Sequence, residues 1–271
     1  MNKKNNIIKI SVLFTSVLLA LSGCSTDEKQ TVITKTKLVM EEEFSIDGAP
    51  DAALWSYEIG TGDNGWGNNE LQYYTDRPEN IVVADGMLKI TAKEELLLGS
   101  SYTSARILTK GKLEQKYGRI EARIKLPYGK GIWPAFWMLG ANSETVSWPQ
   151  CGEIDIMEYL GNQPTKVLGT LHGPGYSGGG AITKSYSLIK DRFDTDFHIF
   201  GIEWGENYIN YYVDDVLYNQ ITPADVTGEW VFNEPFYIIL NVAVGGNLPG
   251  APNGDTSFPQ TMLVDYVKIY E

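Results

Sequence analysis

Cysteine, histidine and positive charge are all scarce in this chain. Its 271 residues include two cysteines and two histidines, and 22 Lys and Arg stand against 34 Asp and Glu, for a net charge of −12. A surface of that sign repels phosphate backbones, so we exclude nucleic acid as a partner. Aromatic residues are plentiful by contrast, at 12%. Their flat rings suit either core packing or the apolar faces of sugars.

The chain also lacks an apolar run that could span a membrane comfortably. The apolar stretch from Ile10 to Leu21 is short, and it follows a positive region that contains Lys3, Lys4 and Lys9. This order of segments is typical of a secretory signal peptide rather than of a membrane helix. The N-terminus is therefore interpreted as a targeting segment and not as part of the fold.

The end of this segment, LSGC at 21–24, resembles a bacterial lipobox, in which cleavage precedes the cysteine and its thiol carries lipid. We expect residues 1–23 to be a lipoprotein signal peptide, Cys24 to be lipidated, and residues 24–37 to be a flexible tether. An ordinary signal peptide with a chance cysteine is the alternative. Asp27 and Glu28 resemble a surface-export signal, so the expected location is the bacterial cell envelope, anchored by lipid at the outer membrane and exposed at its surface. Cys151 would then have no disulfide partner.

No helical pattern of ten or more residues occurs from residue 38 onward. Short β-branched and aromatic runs alternate instead with clusters of Gly, Asn, Asp and Pro, as strands and turns do. Strands are predicted over 86–92, 118–125, 208–213 and 237–244. Many short strands without repeats or an internal linker predict one all-β sandwich domain, residues 38–271.

Three acids stand close together in GEIDIMEY, residues 152–159. Side chains on a strand alternate between its faces, so Glu153 and Asp155 share one face. Strict alternation would turn Glu158 into the core, where an unpaired carboxylate is costly. A one-residue bulge at 156–157 would return Glu158 to the face of the other two acids, and we predict a bulge there.

With this bulge, Glu153 and Glu158 lie about four strand steps apart, or roughly 13 Å along the backbone. Side chains that lean together can bring the carboxyl groups within about 5–6 Å, the spacing of retaining glycosidases. One group would attack an anomeric carbon while the other donates a proton, and Asp155 would help to separate their pKa values. A solvated acidic strand face and a Ca²⁺ site are the alternatives for the same residues.

At these residues the chain resembles glycoside hydrolase family 16, and within it the laminarinase (endo-β-1,3-glucanase) branch. The resemblance covers nearly all of residues 38–271. The segments that carry it are WGNNELQYY (66–74), SARILTKG (104–111), WPAFWML (133–139), GEIDIMEY (152–159), GTLHGPGY (169–176) and NVAVGGN (241–247).

The resemblance implies a jelly-roll β-sandwich of two curved antiparallel sheets with a substrate cleft on the concave face. It implies Glu153 as nucleophile, Glu158 as acid/base and Asp155 as helper, with no cofactor for catalysis. Family members specific for mixed-linkage glucan typically lack a residue corresponding to Met157, so its presence favours β-1,3-glucan. The expected function is an endo-acting, retaining β-1,3-glucanase and the expected partner a β-glucan polysaccharide, with mixed-linkage β-1,3/1,4-glucan as a further candidate substrate.

Three alternatives to this function stay open. The first is a family 16 hydrolase that acts on agarose or another galactan. The second is a transglycosylase, in which a sugar captures the covalent intermediate. The third is a non-catalytic glucan-binding protein, which is disfavoured because relatives that only bind have lost the glutamates, and both are present here. We expect a monomer.

The resemblance also implies residues that bind substrate around the acids. Trp133 and Trp137 resemble sugar-stacking platforms, and Trp148 is a candidate for the rim of the cleft. The histidine that matches His172 lies beside the acid/base in the family and contacts substrate. For each of these residues a purely structural role is the alternative.

Polar side chains and a metal site complete the expected set. Planar groups with several donors suit sugar hydroxyls, and the candidates of this kind are Arg106, Asn68 and Asn241, with a structural role as the alternative for each. Many family members hold a structural Ca²⁺ on the convex side, away from the cleft. The matching positions here, all with hard oxygen ligands, are Glu43, the backbone of Gly86, and Asp265, and Glu42 is the alternative to Glu43.

Overall fold

A computed structural model describes residues 35–271 of the chain. The predictions of a signal peptide and of lipid on Cys24 lie outside the described residues. Within residues 35–271, no helix is long and apolar enough to cross a membrane. Strand β1 begins at Leu38, and backbone hydrogen bonds between Lys37 and Glu271 join the two ends of the described chain.

The described residues form two β-sheets, whose strands are numbered in chain order. The ten-stranded sheet has the order β15 (Val216–Ile221), β14 (Tyr208–Val213), β13 (His198–Gly205), β8 (Gly118–Lys125), β17 (Gln260–Tyr270), β5 (Met87–Leu97), β6 (Ser100–Ser104) and β3 (Gln72–Tyr74), with β1 (Leu38–Glu42) paired to β17 and β4 (Ile81–Ala84) paired to β5. The seven-stranded sheet has the order β12 (Ile182–Ser187), β11 (Lys166–His172), β10 (Glu153–Tyr159), β9 (Ile132–Gly140), β16 (Phe236–Val244), β7 (Arg106–Leu108) and β2 (Ser56–Tyr57).

The pairing is antiparallel with one exception. Strands β3 and β6 run parallel, with Gln72 opposite Tyr102, whereas the sequence led us to expect antiparallel sheets throughout. A parallel pair needs a crossover of a dozen or more residues. The chain between these two strands contains β4 and β5 and supplies that length.

The prediction that the domain has no long helix is confirmed within residues 35–271. The short turns there that come nearest to a helix are Gly65–Asn69, in which Trp66 and Gly67 have non-helical backbone angles, and a three-residue 3₁₀ turn, Gly178–Gly180. In the first of these, Gly65 has φ +59°, and a Cβ atom would lie 2.5 Å from the backbone nitrogen of Glu70. The tight turn at the start of the WGNNELQYY segment therefore requires glycine at this position.

The hydrophobic core lies between the two sheets. The strict alternation predicted for residues 119–125 is observed, since Ile120 and Ile124 on β8 are fully buried. They belong to the same cluster as Phe136 and Met138 on β9 and Ile154 on β10, which are also fully buried. The opposite face of β9 and β10 points away from this core and carries the candidate site.

The bulge predicted in β10 is confirmed. Against β9, Asp155 lies opposite Trp137 and Met157 lies opposite Phe136, so Ile156 is the extra residue. The register against β11 shifts over the same stretch. Because of this extra residue, Glu158 shares the outer face of the sheet with Glu153 and Asp155.

Candidate active site

A cavity of about 1120 Å³ lies over the outer face of the seven-stranded sheet. It is larger than the ~300–1,000 Å³ that is usual for a drug-sized ligand, which suits several sugar units. Ten of the predicted site residues line it: Asn68, Arg106, Trp133, Trp137, Trp148, Glu153, Asp155, Glu158, His172 and Asn241. The remaining three predicted positions within residues 35–271, namely Glu43, Gly86 and Asp265, do not line this cavity.

The carboxylate trio, defined as Glu153, Asp155 and Glu158, occupies the middle of β10. On the uninterrupted partner strand β9, Glu153 lies opposite Leu139 and Glu158 opposite Ala135. The two glutamates are thus four steps of β9 apart, as the bulge predicts, or about 13 Å between backbones. Asp155 is only 4% exposed, so a solvated acidic strand face does not describe this part of β10.

Burial raises all three pKa values, and repulsion between neighbouring carboxyl groups raises those of Glu153 and Asp155 further. Desolvation, and next the neighbouring Asp155, raise the pKa of Glu153 to about 8. Desolvation and the charge of Glu158 raise the pKa of Asp155 well above its usual range, and desolvation also raises the pKa of Glu158. Three adjacent carboxyl groups in one desolvated cleft cannot all ionise near neutral pH. The trio therefore retains protons that it can donate.

Indole and hydroxyl donors hold the two glutamates. Trp148 donates its Nε1–H to Glu153 Oε2 at 2.9 Å, and Trp133 donates its Nε1–H to Glu158 Oε1 at 3.2 Å. The hydroxyl of Thr170 donates to the other oxygen of Glu158, also at 3.2 Å. Hydrogen bonds of this kind favour the ionised form and fix each side chain in one rotamer.

His172, the last residue of β11, lies opposite Glu153 in the sheet. Its Nδ1 accepts the backbone N–H of Gly178 at 3.1 Å, so the neutral ring carries its proton on Nε2. That nitrogen lies 3.2 Å from Asp155 Oδ2 and 3.6 Å from Glu153 Oε1. The closest acidic partners of His172 are therefore Asp155 and Glu153, whereas the resemblance led us to expect Glu158.

Within residues 35–271, the same three side chains are the one group of three or more His, Cys, Asp or Glu side chains whose ligating atoms lie close enough together to hold an ion. Ligating atoms of Glu153, Asp155 and His172 lie within 4.8 Å of one another. The hydrogen bonds of Glu153 to Trp148 and of His172 to Gly178 already order these side chains without an ion. The arrangement consequently suits proton transfer between the groups as well as it suits a cation.

Arg106 anchors the aromatic floor of the cleft. Its guanidinium carbon lies 4.6 Å from the ring centre of Trp66 and 4.8 Å from that of Trp137. Its Nε forms an ion pair with Glu58 at 2.5 Å. Two cation–π contacts and an ion pair at a side chain that is 9% exposed hold both indoles. The residue predicted to bind sugar hydroxyls thus also supports the stacking platform.

The two predicted asparagines contact other side chains in the cleft. Asn68 forms a side-chain hydrogen bond with Glu70. Asn241, on β16, accepts the Nε1–H of Trp137 at 2.8 Å and donates its Nδ2–H to the hydroxyl of Tyr74 at 3.1 Å. The carbonyl oxygen and one N–H of Asn241 are thus engaged with protein, which is the structural role given as the alternative for this residue, and the side chain also lines the cavity.

Several residues of the site were not predicted. Glu58 pairs with Arg106 from 48 positions away, and no local pattern in the sequence indicates that contact. Trp66, Glu70 and Thr170 also line the cavity. All three lie within the segments WGNNELQYY and GTLHGPGY, so the resemblance gave a signal for their region but no role for each side chain.

The predicted calcium positions lie beside neighbouring strands of the ten-stranded sheet. Asp265 is the extra residue at a register shift in β17, between the part paired with β5 and the part paired with β1. Gly86 directly precedes β5, and Glu43 directly follows β1. Arg123 lies 2.7 Å from Asp265, and Lys268 lies 3.7 Å from Glu43. The oxygen donors fit Ca²⁺, which would compete with these two ion pairs.

Residues 66–268 match the sequence model of glycosyl hydrolases family 16. The chain belongs to this family.

A relative in family 16, the beta-glucanase of Rhodothermus marinus, is 40% identical over 99% of this chain and 96% of its own length. Among solved family structures, the laminarinase catalytic domain of Thermotoga maritima is 52% identical with a TM-score of 0.83, covering 87% of this chain and 98% of that one. The endo-β-1,3-glucanase of Pyrococcus furiosus is 47% identical with a TM-score of 0.84, covering 86% and 94%. The two sheets are thus the jelly roll of family 16.

Proposed function

We propose that this protein is an endo-acting, retaining β-1,3-glucanase that hydrolyses laminarin-type glucans by double displacement. The observation that carries the proposal is that the bulge at Ile156 places the side chains of Glu153 and Glu158 on the same face of one strand. The solved structures of a laminarinase and an endo-β-1,3-glucanase with TM-scores of 0.83 and 0.84 support the choice of substrate.

In the first step Glu153 attacks the anomeric carbon and Glu158 donates its proton to the departing glycosidic oxygen. The donors arranged around Glu158 fit this role, because Trp133 and Thr170 contact different oxygens of its carboxyl group. The side chain is thereby fixed while its proton leaves. The products are a shortened glucan and a glucosyl ester of Glu153.

In the second step Glu158, now ionised, removes a proton from water, and the resulting oxygen attacks the anomeric carbon and releases Glu153. Glu158 ends the cycle protonated, so no external acid is consumed. Two inversions at one carbon retain its configuration. The hydroxyl of Thr170 can donate to the ionised Glu158 between the two steps.

Asp155 assists the nucleophile. It is the most buried member of the trio and hydrogen-bonds Glu153, so a proton kept on Asp155 can point at Glu153 and favour its ionised form. Trp148 and His172 place two further N–H groups near Glu153. The positive charge that develops at the anomeric carbon also favours the ionised form of Glu153. Together with the hydrogen-bond donors, this charge offsets the raised pKa that Glu153 has in the substrate-free cleft.

Two further features are part of the proposal. Lipidation of Cys24 would tether the enzyme to the cell envelope through residues 24–37, which suits a polymer too large to enter the cell. A Ca²⁺ ion held by Glu43, Gly86 and Asp265 would connect β1, β5 and β17 and stabilise the ten-stranded sheet. This ion would have no part in the reaction, since the three positions do not line the cleft.

The test measures reducing-sugar release from laminarin, lichenan and agarose, with Glu153→Ser and Glu158→Ser as inactive controls. We expect release from laminarin and little from agarose, and proton NMR should show the β-anomer as the first product. Azide should rescue the two variants differently, giving an α-glycosyl azide with Glu153→Ser and a β-glycosyl azide with Glu158→Ser, because it replaces the nucleophile in one and water in the other. Cleavage of agarose alone would sink the substrate assignment, and an α-anomer as first product would sink the double displacement.

A further inference from the structure

The indole of Trp137 on the cleft floor is the last member of a chain of hydrogen bonds that begins at Glu70. Tyr74 donates its hydroxyl to Glu70 Oε2 at 3.2 Å, Asn241 donates its Nδ2–H to the Tyr74 oxygen at 3.1 Å, and Trp137 donates its Nε1–H to Asn241 Oδ1 at 2.8 Å. The chain connects the WGNNELQYY segment to strands β16 and β9. The proposed mechanism gives no part to Glu70 or Tyr74.

The chemistry of its two ends fixes the direction of every bond in this chain. An ionised Glu70 can only accept, and the indole N–H of Trp137 can only donate. The hydroxyl of Tyr74 must therefore point at Glu70, which leaves its oxygen to accept from Asn241. The amide of Asn241 then has one orientation, with its oxygen toward Trp137. The indole N–H keeps the amide oxygen of Asn241 toward Trp137, so removal of the acceptor at Glu70 would free the hydroxyl of Tyr74 to turn and would weaken the hydrogen bond that its oxygen accepts from Asn241.

Glu70 itself is held from a second side. Gln72, which is fully buried, donates its Nε2–H to Glu70 Oε2 at 2.7 Å and accepts the backbone N–H of Val244 at 2.7 Å. This link ties Glu70 to the backbone of β16, the strand that carries Asn241. Glu70 is thus a fixed acceptor rather than a mobile surface carboxylate.

The face of Trp137 is positioned independently by Arg106, whose guanidinium lies 4.8 Å from the ring centre. Stacking on a flat cation restrains the tilt of the indole but still lets it slide across the cation through small rotations about its side-chain torsions. The hydrogen bond at Nε1 restrains that movement. The tilt of Trp137 and its lateral position are thereby set by two different groups.

We infer that Glu70 is a positioning residue for substrate binding, which acts through Tyr74 and Asn241 to fix Trp137 as a sugar platform. The inference rests on the proposed β-glucan function for the identity of the sugar. An aromatic platform contributes more to the affinity for the bound glucan than to the breaking of the glycosidic bond. Loss of the hydrogen bonds that fix Trp137 should consequently raise KM and leave kcat nearly unchanged.

The test compares Tyr74→Phe and Glu70→Leu with the wild-type protein on laminarin. Each variant removes one link, and we expect KM to rise about three- to tenfold, the usual range for one lost hydrogen bond, with kcat within about twofold. Tyr73→Phe is the matched control, because it removes a hydroxyl from the opposite face of the same strand. Glu70→Gln keeps a side-chain oxygen that can accept from Tyr74 and should recover most of the affinity.

A double-mutant cycle separates positioning from a general loss of structure. In a Trp137→Phe background the chain has no N–H to hold, so Tyr74→Phe should raise KM no further. Because the ring of Tyr74 also lies 5.6 Å from that of Trp66, Tyr74→Phe should change the near-ultraviolet circular dichroism in both backgrounds, and the change should be larger in the wild-type background than in the Trp137→Phe background. Equal effects of Tyr74→Phe in both backgrounds, a fall in kcat at constant KM, or a Glu70→Gln variant as weak as Glu70→Leu would each overturn the inference.

The two proposals can fail separately. If the wild-type protein does not cleave laminarin, the proposed function fails, while the circular-dichroism cycle still tests the coupling between Tyr74 and Trp137. If laminarin is cleaved but the cycle is additive, the proposed function stands and the inference about Glu70 fails. Melting temperatures of all variants show whether a change in KM accompanies a loss of folding.

Discussion

Replacement of Glu153 by glutamine should make the protein more stable while abolishing its activity. The folded protein raises the pKa of Glu153 from 4.5 to about 8, because ionisation would place a charge in the desolvated cleft beside Asp155. A carboxyl group whose pKa is raised binds its proton more tightly in the folded state than in the unfolded one. Stability from this group is therefore full below pH 4.5 and is lost as the pH rises toward 8.

The size of the effect follows from these two pKa values. Between pH 4.5 and pH 7 Glu153 ionises in the unfolded state but not in the folded state, and each pH unit lowers the free energy of unfolding by about 1.36 kcal/mol. At pH 7 the wild-type fold is therefore destabilised by about 3 kcal/mol. Glutamine has nearly the same shape, can still accept from Trp148, and does not ionise. For a domain of this size about 3 kcal/mol corresponds to about 6–12 °C in melting temperature.

The assay is thermal unfolding of the wild-type protein and Glu153→Gln from pH 4 to pH 8. The two melting temperatures should nearly coincide at pH 4. Above pH 5 the melting temperature of the variant should exceed that of the wild-type protein by a margin that grows with pH. Glu94→Gln, which changes an exposed carboxyl group on β5, controls for the loss of one negative charge from a chain of net charge −12. A variant less stable than wild type at pH 7, or a gain that does not depend on pH, would refute the reasoning.

Three other perturbations test separate parts of the site and its surroundings. Trp148→Phe removes an N–H that lowers the pKa of Glu153. The acidic limb of the plot of kcat/KM against pH should therefore move to higher pH by about half to one unit, and a limb that does not move contradicts the role given to Trp148. Ca²⁺ at about 100 times its Kd should raise the melting temperature by about 5–10 °C and leave activity at 25 °C unchanged, and Asp265→Asn should remove the response; a melting temperature that ignores both Ca²⁺ and chelator contradicts the site. Cys24→Ala should move the expressed protein from the detergent phase to the aqueous phase in a phase-partition assay, and retention of the variant in the detergent phase contradicts lipidation.

The strands and the bulge could be predicted because both follow from local rules. Residues 118–125 alternate between faces, and the structure has β8 over Gly118–Lys125. The cost of a buried carboxylate at Glu158 was enough to predict an extra residue in β10, which the register places at Ile156. In each case the prediction used only the side-chain period of a strand and the desolvation of one charge.

The contacts that could not be predicted all join distant parts of the chain. Asn241 reaches Tyr74 across 167 positions. Arg106 meets Glu58 because β2 pairs with β7, and it meets Trp137 because β7, β16 and β9 are neighbours in the sheet. The parallel pairing of β3 with β6 is of the same kind. Periodicity specifies the face on which a side chain lies, but strand order specifies its neighbours, and no local pattern encodes strand order.

The extra residue in β10 is a place where chain length can change without harm to the fold. Strict pairing holds on both sides of Ile156, since Asp155 faces Trp137, and Met157 and Glu158 face Phe136 and Ala135. A deletion at this point would join two stretches that are already in step, and the three acids would still share a face because one residue would then separate each acid from the next. The centre of a buried strand, where insertions and deletions are normally excluded, is thus a point at which one residue can be gained or lost, and the bend of the cleft floor altered, while the outer acids stay opposite Leu139 and Ala135.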